Sequence, residues 1–307
     1  MKKEDDVKGE ELVDLNGDGT EKKEEKKEEE SKKSNGALKY IMIPLLCLIA
    51  IGGILYTVKI YKKINQIELI VCKDYDEMSA RAAKIISDLI KENPRCNLGL
   101  ATGSTPLGLY NILIEQNKRK EISFKDVKTF NLDEYCGIPR NHEQTYFTYM
   151  KEHLFKFIDV DLANTNIPKG EGDLESNVRN YEEILKKNKI NLQILGIGRN
   201  GHIGFNEPGT NFDMGVHIVD LQNKTIHDNA RFFDYDINKV PKKAITMGIK
   251  NILDADNIIL MANGTNKADA IKNVMSGVVD INIPATALNT HKGKVYVIVD
   301  KDSASKL

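Results

Sequence analysis

From residue 67 onward the chain alternates short apolar runs with amphipathic stretches, and this alternation restricts its fold more than any other feature. Residues 67–72, 98–101, 127–132, 192–196, 257–261 and 295–299 read as strands, and 78–91, 107–116, 174–187 and 267–275 read as helices between some of them. Strands separated by helical segments are joined by crossovers, which makes neighbours parallel and lays helices on both faces of the sheet. The expected fold is therefore α/β, with a mainly parallel, doubly wound, Rossmann-like sheet. Ligands in such sheets bind beyond the carboxyl ends of the strands, so the segments that follow strands deserve the closest reading.

The first 66 residues are different in kind. Residues 1–36 are mostly Lys, Glu and Asp, with almost nothing apolar to bury, and read as a disordered charged tail. Within the tail, residues 14–25 fit the spacing of a calcium loop, but no amphipathic helices flank them and Glu21 stands where an apolar residue is usual, so a solvated acidic turn is the better reading. Residues 40–58 carry no charge and are mostly apolar, close to the length a helix needs to cross a membrane. We expect a transmembrane helix over 37–60 and a linker over 61–66, followed by a catalytic domain over 67–307. Lysines flank both sides of the apolar stretch, so charge gives no orientation. The formal net charge of -1 offers no basic footprint for nucleic acid. Four scattered cysteines, without C-x-x-C spacing, suggest neither a disulfide framework nor a zinc ribbon.

Three strand-following segments carry candidate chemistry. ATGSTPLG at 101–108 places small residues and hydroxyls between a strand and a helix, where Gly103, Ser104, Thr105 and the helix N-terminus can cradle a phosphate; a plain helix cap has the same form. It is neither a Walker loop nor a G-x-G-x-x-G turn. TFNLDEY at 129–135 ends a strand on two carboxylates, of which alternation lets one face a cleft. Asp133 is chosen as that residue and as a possible general base, although a capping Asp would look the same. LGIGRNGHIGFNEPG at 195–209 holds five glycines in fifteen residues and supplies the titratable pair His202 and Glu207. Arg231 and Lys267 are cations suited to phosphate oxygens. The other histidines show no metal-ligand spacing, and no metal site is expected.

Together, ATGSTPLGLY, FNLDEYCGIP, GIGRNGHIGFNEPG, NARFF and GTNKADA resemble the glucosamine-6-phosphate deaminases of the glucosamine/galactosamine-6-phosphate isomerase family, over about four-fifths of the chain. The resemblance implies an enzyme of hydrolase type, without cofactor or metal, that converts glucosamine 6-phosphate and water to fructose 6-phosphate and ammonia. It implies that Asp133 moves the C2 proton to C1, and that His202, with Glu207 and Asn200, opens the sugar ring. Gly103, Ser104, Thr105, Arg231 and Lys267 would hold the 6-phosphate. Some members carry Asp where this chain has Asn200, which excludes a carboxylate role there. In the allosterically activated bacterial members the segment after FNEP is basic; residues 212–220 here contain no Lys or Arg, so strong activation by N-acetylglucosamine 6-phosphate is not expected.

The family also implies a homo-oligomer. Because the substrate is a cytosolic metabolite, the expected arrangement is a single-pass membrane protein with its catalytic domain in the cytoplasm. Two other readings compete: a 6-phosphogluconolactonase of the same fold, and a non-catalytic, membrane-tethered sugar-phosphate sensor. FNEP and DEY favour the deaminase over the first. Retention of Asp133 and His202, which binding alone does not need, disfavours the second.

Overall fold

The computed structural model describes Gly53 and residues 66–307. Its strands are β1 (Ile67–Cys72), β2 (Asn97–Leu100), β3 (Lys128–Asn131), β4 (Asp133–Tyr135), β5 (Thr165–Asn166), β6 (Leu192–Gly196), β7 (His217–Asp220), β8 (Lys243–Thr246), β9 (Asn257–Ala262) and β10 (Lys294–Asp300). Its helices are α1 (Tyr75–Glu92), α2 (Leu107–Lys118), α3 (Tyr146–His153), α4 (Leu174–Lys187), α5 (Asn223–Asn229), α6 (Ile249–Leu253) and α7 (Ala268–Met275). Seven strands form a sheet in the order β1-β10-β9-β6-β2-β3-β5, with every pairing parallel.

The centre of this sheet is hydrophobic on both faces, as helices on both sides require. Ile258, Ile259, Leu260, Met261 and Ala262 of β9 are all buried, as are Val297, Ile298 and Val299 of β10. The helices cover it with one apolar stripe each. In α1, Met78, Ala82, Ala83, Ile86 and Ile90 are buried at helical spacing, and the Asp74 side chain starts the helix by accepting the Glu77 amide at 2.9 Å. That cap begins the helix three residues before the apolar periodicity does.

The expected strand at 127–132 is β3, and a further strand follows it at once. The chain breaks at Leu132, and β4 leaves the main sheet for a three-stranded antiparallel sheet in the order β4-β8-β7. Leu132 joins the two sheets: its amide donates to Leu100 O at 3.3 Å, and its carbonyl accepts from Met247 at 2.7 Å. Chain order also reverses beside β2. β3 and β5 lie on one side of it, while β6, β9 and β10 return on the other. The crevice beyond β2 and β6 is thus the switch point at which open α/β sheets bind ligands.

The expectation of a membrane anchor needs correction. Among the described residues no helix is long and apolar enough to cross a membrane. The longest, α1, has 18 residues, about 27 Å at 1.5 Å per residue, but it carries Asp76, Glu77, Arg81, Lys84, Asp88 and Lys91 along its length. The segment 37–60 lies outside the described residues apart from Gly53, as do the charged tail and the calcium-like loop at 14–25. The transmembrane part of the expected fold, and with it the placement as a single-pass membrane protein with a cytoplasmic catalytic domain, has no structural support.

Candidate active site

Four connections open onto a single cavity of about 610 Å³: the loop after β2, the β3–β4 junction, the glycine-rich loop after β6 and the turn after β9. Gly103, Ser104, Thr105, Asp133, His202, Arg231 and Lys267 all line it. Asn200 and Glu207 do not; they stand behind His202 and act on it.

The two carboxylates of the DEY segment part as strand alternation requires. Asp133 faces the cavity and is buried; desolvation, then the neighbouring charge of Glu134, raises its pKa well above the ordinary carboxylate range. Glu134 turns away to cap α3. It accepts the amides of Tyr146 at 2.8 Å and Phe147 at 2.9 Å, besides that of Tyr135 at 2.9 Å. Burial raises the Glu134 pKa, and these amides oppose the rise. One carboxylate is therefore tied to the scaffold, whereas the other has its oxygens free for chemistry.

The glycine-rich loop turns back on itself so that His202 lies against Gly198, whose amide donates to His202 O at 2.9 Å. Behind the ring, Glu207 Oε2 lies 3.6 Å from His202 Nδ1, a contact slightly longer than a hydrogen bond. Glu207 is itself held from both sides: Asn200 Nδ2 donates to Oε2 at 2.9 Å, and the Thr225 hydroxyl donates to Oε1. Burial is the largest single influence on Glu207 and raises its pKa; His202, Thr225 and Asn200 together outweigh it and hold the carboxyl below its ordinary value. A charged Glu207 placed this way favours a proton on Nδ1 and leaves Nε2 to meet a substrate.

Only a glycine fits beside that ring. A Cβ on Gly198 would lie 2.3 to 2.5 Å from three atoms of the His202 imidazole. Gly198→Ala should therefore leave the fold intact, since a side chain and not backbone must move, yet lower kcat by about 10²-fold, the range expected when a general acid–base group is misplaced. A melting curve and a turnover assay on the same preparation check both halves. Unchanged turnover would mean that the imidazole does not need this position.

Cations gather at the turn after β9. Lys267 is half-buried; desolvation and the nearby Arg231 bring its pKa down to about 8, against the opposing pull of Asp228. Asp228 is paired with Arg199, whose Nε lies 3.2 Å from Oδ2. The turn is braced by the end of β10: the Gly264 amide donates to Asp300 Oδ1 and Oδ2 at 3.1 and 3.0 Å, and Ser303 Oγ donates to Ala262 O at 2.9 Å. Gly264 has φ +85°, a conformation that favours glycine. Across from it, Thr105 Oγ1 donates to Asn263 Oδ1 at 3.2 Å and ties the two loops together.

Thr225, Asp228 and Tyr146 belong to this site although no sequence motif contained them, and Arg199, inside the glycine-rich motif, and Asn263, beside the GTNKADA turn, belong to it although neither was given a role. The nearest signal was NARFF, which begins one residue after Asp228.

The fold, the cavity and the residues lining it define the class. Residues 74–297 match the family described as glucosamine-6-phosphate isomerases/6-phosphogluconolactonase, and the chain belongs to that family. Within it, the chain is similar to deaminases. The chain is 52% identical over 237 residues to the glucosamine-6-phosphate deaminase of Clostridium novyi, which covers 76% of this chain and 98% of that protein. It is 49% identical over 240 residues to that of Thermoanaerobacter sp. strain X514, covering 78% and 94% respectively. A solved structure of a monomeric glucosamine-6-phosphate deaminase superposes with a TM-score of 0.76 at 42% identity, over 78% of this chain and 100% of that one. The 6-phosphogluconolactonase of Trypanosoma cruzi, at 19% identity and a TM-score of 0.63 over 79% and 97%, shares the fold.

Proposed function

We propose that residues 67–307 form a catalytic domain that converts glucosamine 6-phosphate and water to fructose 6-phosphate and ammonia, an isomerising deamination. The observation that carries this reading is the sharing of one cavity by a buried, unengaged carboxylate, a carboxylate-backed imidazole and a cluster suited to phosphate. The near-50% identity to deaminases over almost their whole length supports the same substrate. The homo-oligomer expected from the family gains no such support, since the solved relative at 42% identity is monomeric.

In this reading, Gly103, Ser104, Thr105, Arg231 and Lys267 hold the 6-phosphate. His202, steadied by Glu207 and Asn200, takes the proton of the anomeric hydroxyl and returns it to the ring oxygen, which opens the pyranose. Asp133 then removes the C2 proton while a proton of the substrate's ammonium group passes to O1, giving an enolamine, and delivers the C2 proton to C1, leaving nitrogen as the iminium. The resulting C2 iminium adds water and expels ammonia, leaving the ketose. A carboxylate of raised pKa is a stronger base than an exposed one, which is what abstraction from carbon requires.

The test is ammonia release with matching formation of fructose 6-phosphate by the full chain. Turnover of a 6-phosphogluconolactone instead, or binding of glucosamine 6-phosphate without turnover, would defeat this reading.

A pH profile follows from the two shifted groups. Lys267 is cationic below about 8 in the free enzyme and neutral above it, so phosphate affinity is lost as pH rises through that value. We expect kcat/KM to fall on the alkaline side with an apparent pKa near 8, while kcat, which reports the phosphate-bound complex, extends further. The acid limb belongs to Asp133 and should lie above the ordinary carboxylate range. Steady-state rates across pH, with Lys267→Met as the control that removes the alkaline limb, check the assignment.

A further inference from the structure

The loop that follows β2 is gripped from outside by two phenols contributed by different helices. Tyr149 of α3 donates to Gly103 O at 2.6 Å. Tyr75 of α1 directs its hydroxyl proton at the adjacent carbonyls of Ser104, at 3.1 Å, and Thr105, at 3.0 Å, and accepts the Gly108 amide at 2.8 Å. Three consecutive carbonyls are thereby fixed. Gly108 makes the Tyr75 contact possible, because a Cβ there would lie 2.8 Å from the Tyr75 ring and 2.5 Å from Ser79 Oγ.

The consequence is geometric. In a trans peptide the C=O and the following N–H point in opposite directions. Fixing the carbonyls of Gly103 and Ser104 toward the phenols turns the N–H groups of Ser104 and Thr105 the other way, toward the cavity that both residues line. Among the described residues neither amide donates to a protein acceptor, so both remain available to an anion. Holding two donors in place before the ligand arrives removes the ordering cost that a flexible glycine loop would otherwise incur on binding. Gly103, at φ +94°, is a point where the loop would otherwise have that freedom.

We infer that Tyr75 and Tyr149 are positioning residues for phosphate recognition: they hold the 103–105 backbone so that its amides face the substrate's phosphate, without touching substrate themselves. The inference rests on the proposed substrate for its kinetic test, though phosphate binding can be read independently.

Tyr75→Phe and Tyr149→Phe each keep the ring and remove only the hydroxyl. Each should raise KM for glucosamine 6-phosphate and the inhibition constant for inorganic phosphate together, by about fivefold, the effect of losing one hydrogen bond of ordinary net strength. The fall in kcat should be smaller than the rise in KM, and melting temperatures should stay close to that of the unmodified chain. Because the two phenols sit on different helices, failure of one variant to fold leaves the other as the test. Direct titration of the full chain and variants with inorganic phosphate gives the same comparison if glucosamine 6-phosphate is not turned over, which separates failure of the positioning role from failure of the substrate assignment. Phosphate affinity within twofold of the unmodified chain in both folded variants overturns the inference, as does a fall in kcat with unchanged phosphate affinity.

Discussion

Asp133→Asn should lower kcat by about 10³-fold or more, at the upper end of what one general base supplies, while binding of the sugar phosphate is nearly retained. The substitution is close to isosteric and leaves the phosphate loops untouched, so KM should hardly move. It should also make the protein more stable near neutral pH. The sign follows from linkage: a carboxyl whose folded pKa lies above its unfolded value binds more protons in the folded state, so stability falls as pH rises from about 3.9 toward the folded pKa. Asn cannot ionise and escapes that loss. The melting temperature of the variant should therefore exceed that of the parent at pH 7, and the gap should close as pH approaches 4. A variant that is inactive and also less stable at pH 7 would point to a structural role for this carboxylate in place of a catalytic one.

Lys267→Met should raise KM by about 10²-fold, with a smaller loss in kcat. A charge-assisted hydrogen bond to phosphate contributes about 1.5–3 kcal/mol, and 2.7 kcal/mol of that range corresponds to roughly a hundredfold. Met fills much of the same volume and removes the like-charge neighbour of Arg231, so the empty site is not strained by the change. Lys267→Arg should restore part of the affinity, limited by the poor fit of a broad guanidinium in a space shaped for an ammonium. Saturation curves for the three proteins decide the matter. A loss confined to kcat would place Lys267 in the chemistry and not in phosphate binding.

The main sheet could be read in advance because its longer strands are mostly apolar runs. β1 and β6 begin and end where those runs do, each holding one polar residue, Glu68 and Gln193, although β1 at the sheet edge leaves Leu69 and Val71 exposed. The antiparallel sheet escaped for the opposite reason. β7 and β8 are four residues each, and the pairing of Asp133 with Thr246 spans more than a hundred residues, which no local pattern records. β4 was hidden because only Leu132 separates it from β3, and the turn at Leu132 depends on hydrogen bonds from both sheets. The site divides along similar lines. His202 and Glu207 share one glycine-rich motif and could be read together, whereas the Thr225 hydroxyl reaches Glu207 from a helix with no signature. Asp133 was chosen for the cleft, but alternation alone does not separate it from Glu134, whose hydrogen bonds to the start of α3 tie it to the scaffold.

The pairing of β1 has a consequence for how the chain must be made. β1 is an edge strand, and β10 is its one neighbour in the sheet. A ribosome delivers β1 first of all the described strands and β10 last, so the first strand to emerge waits, with apolar residues unmatched, through the synthesis of everything between them. Closure of the sheet is then a late event of long sequence separation, the slow kind. The same final strand carries Asp300, which braces the Gly264 turn. A nascent chain halted before β10 therefore lacks both the seal on its sheet and the support of its phosphate loop, so incomplete copies should be targets for proteolysis and should not persist as partly active enzyme.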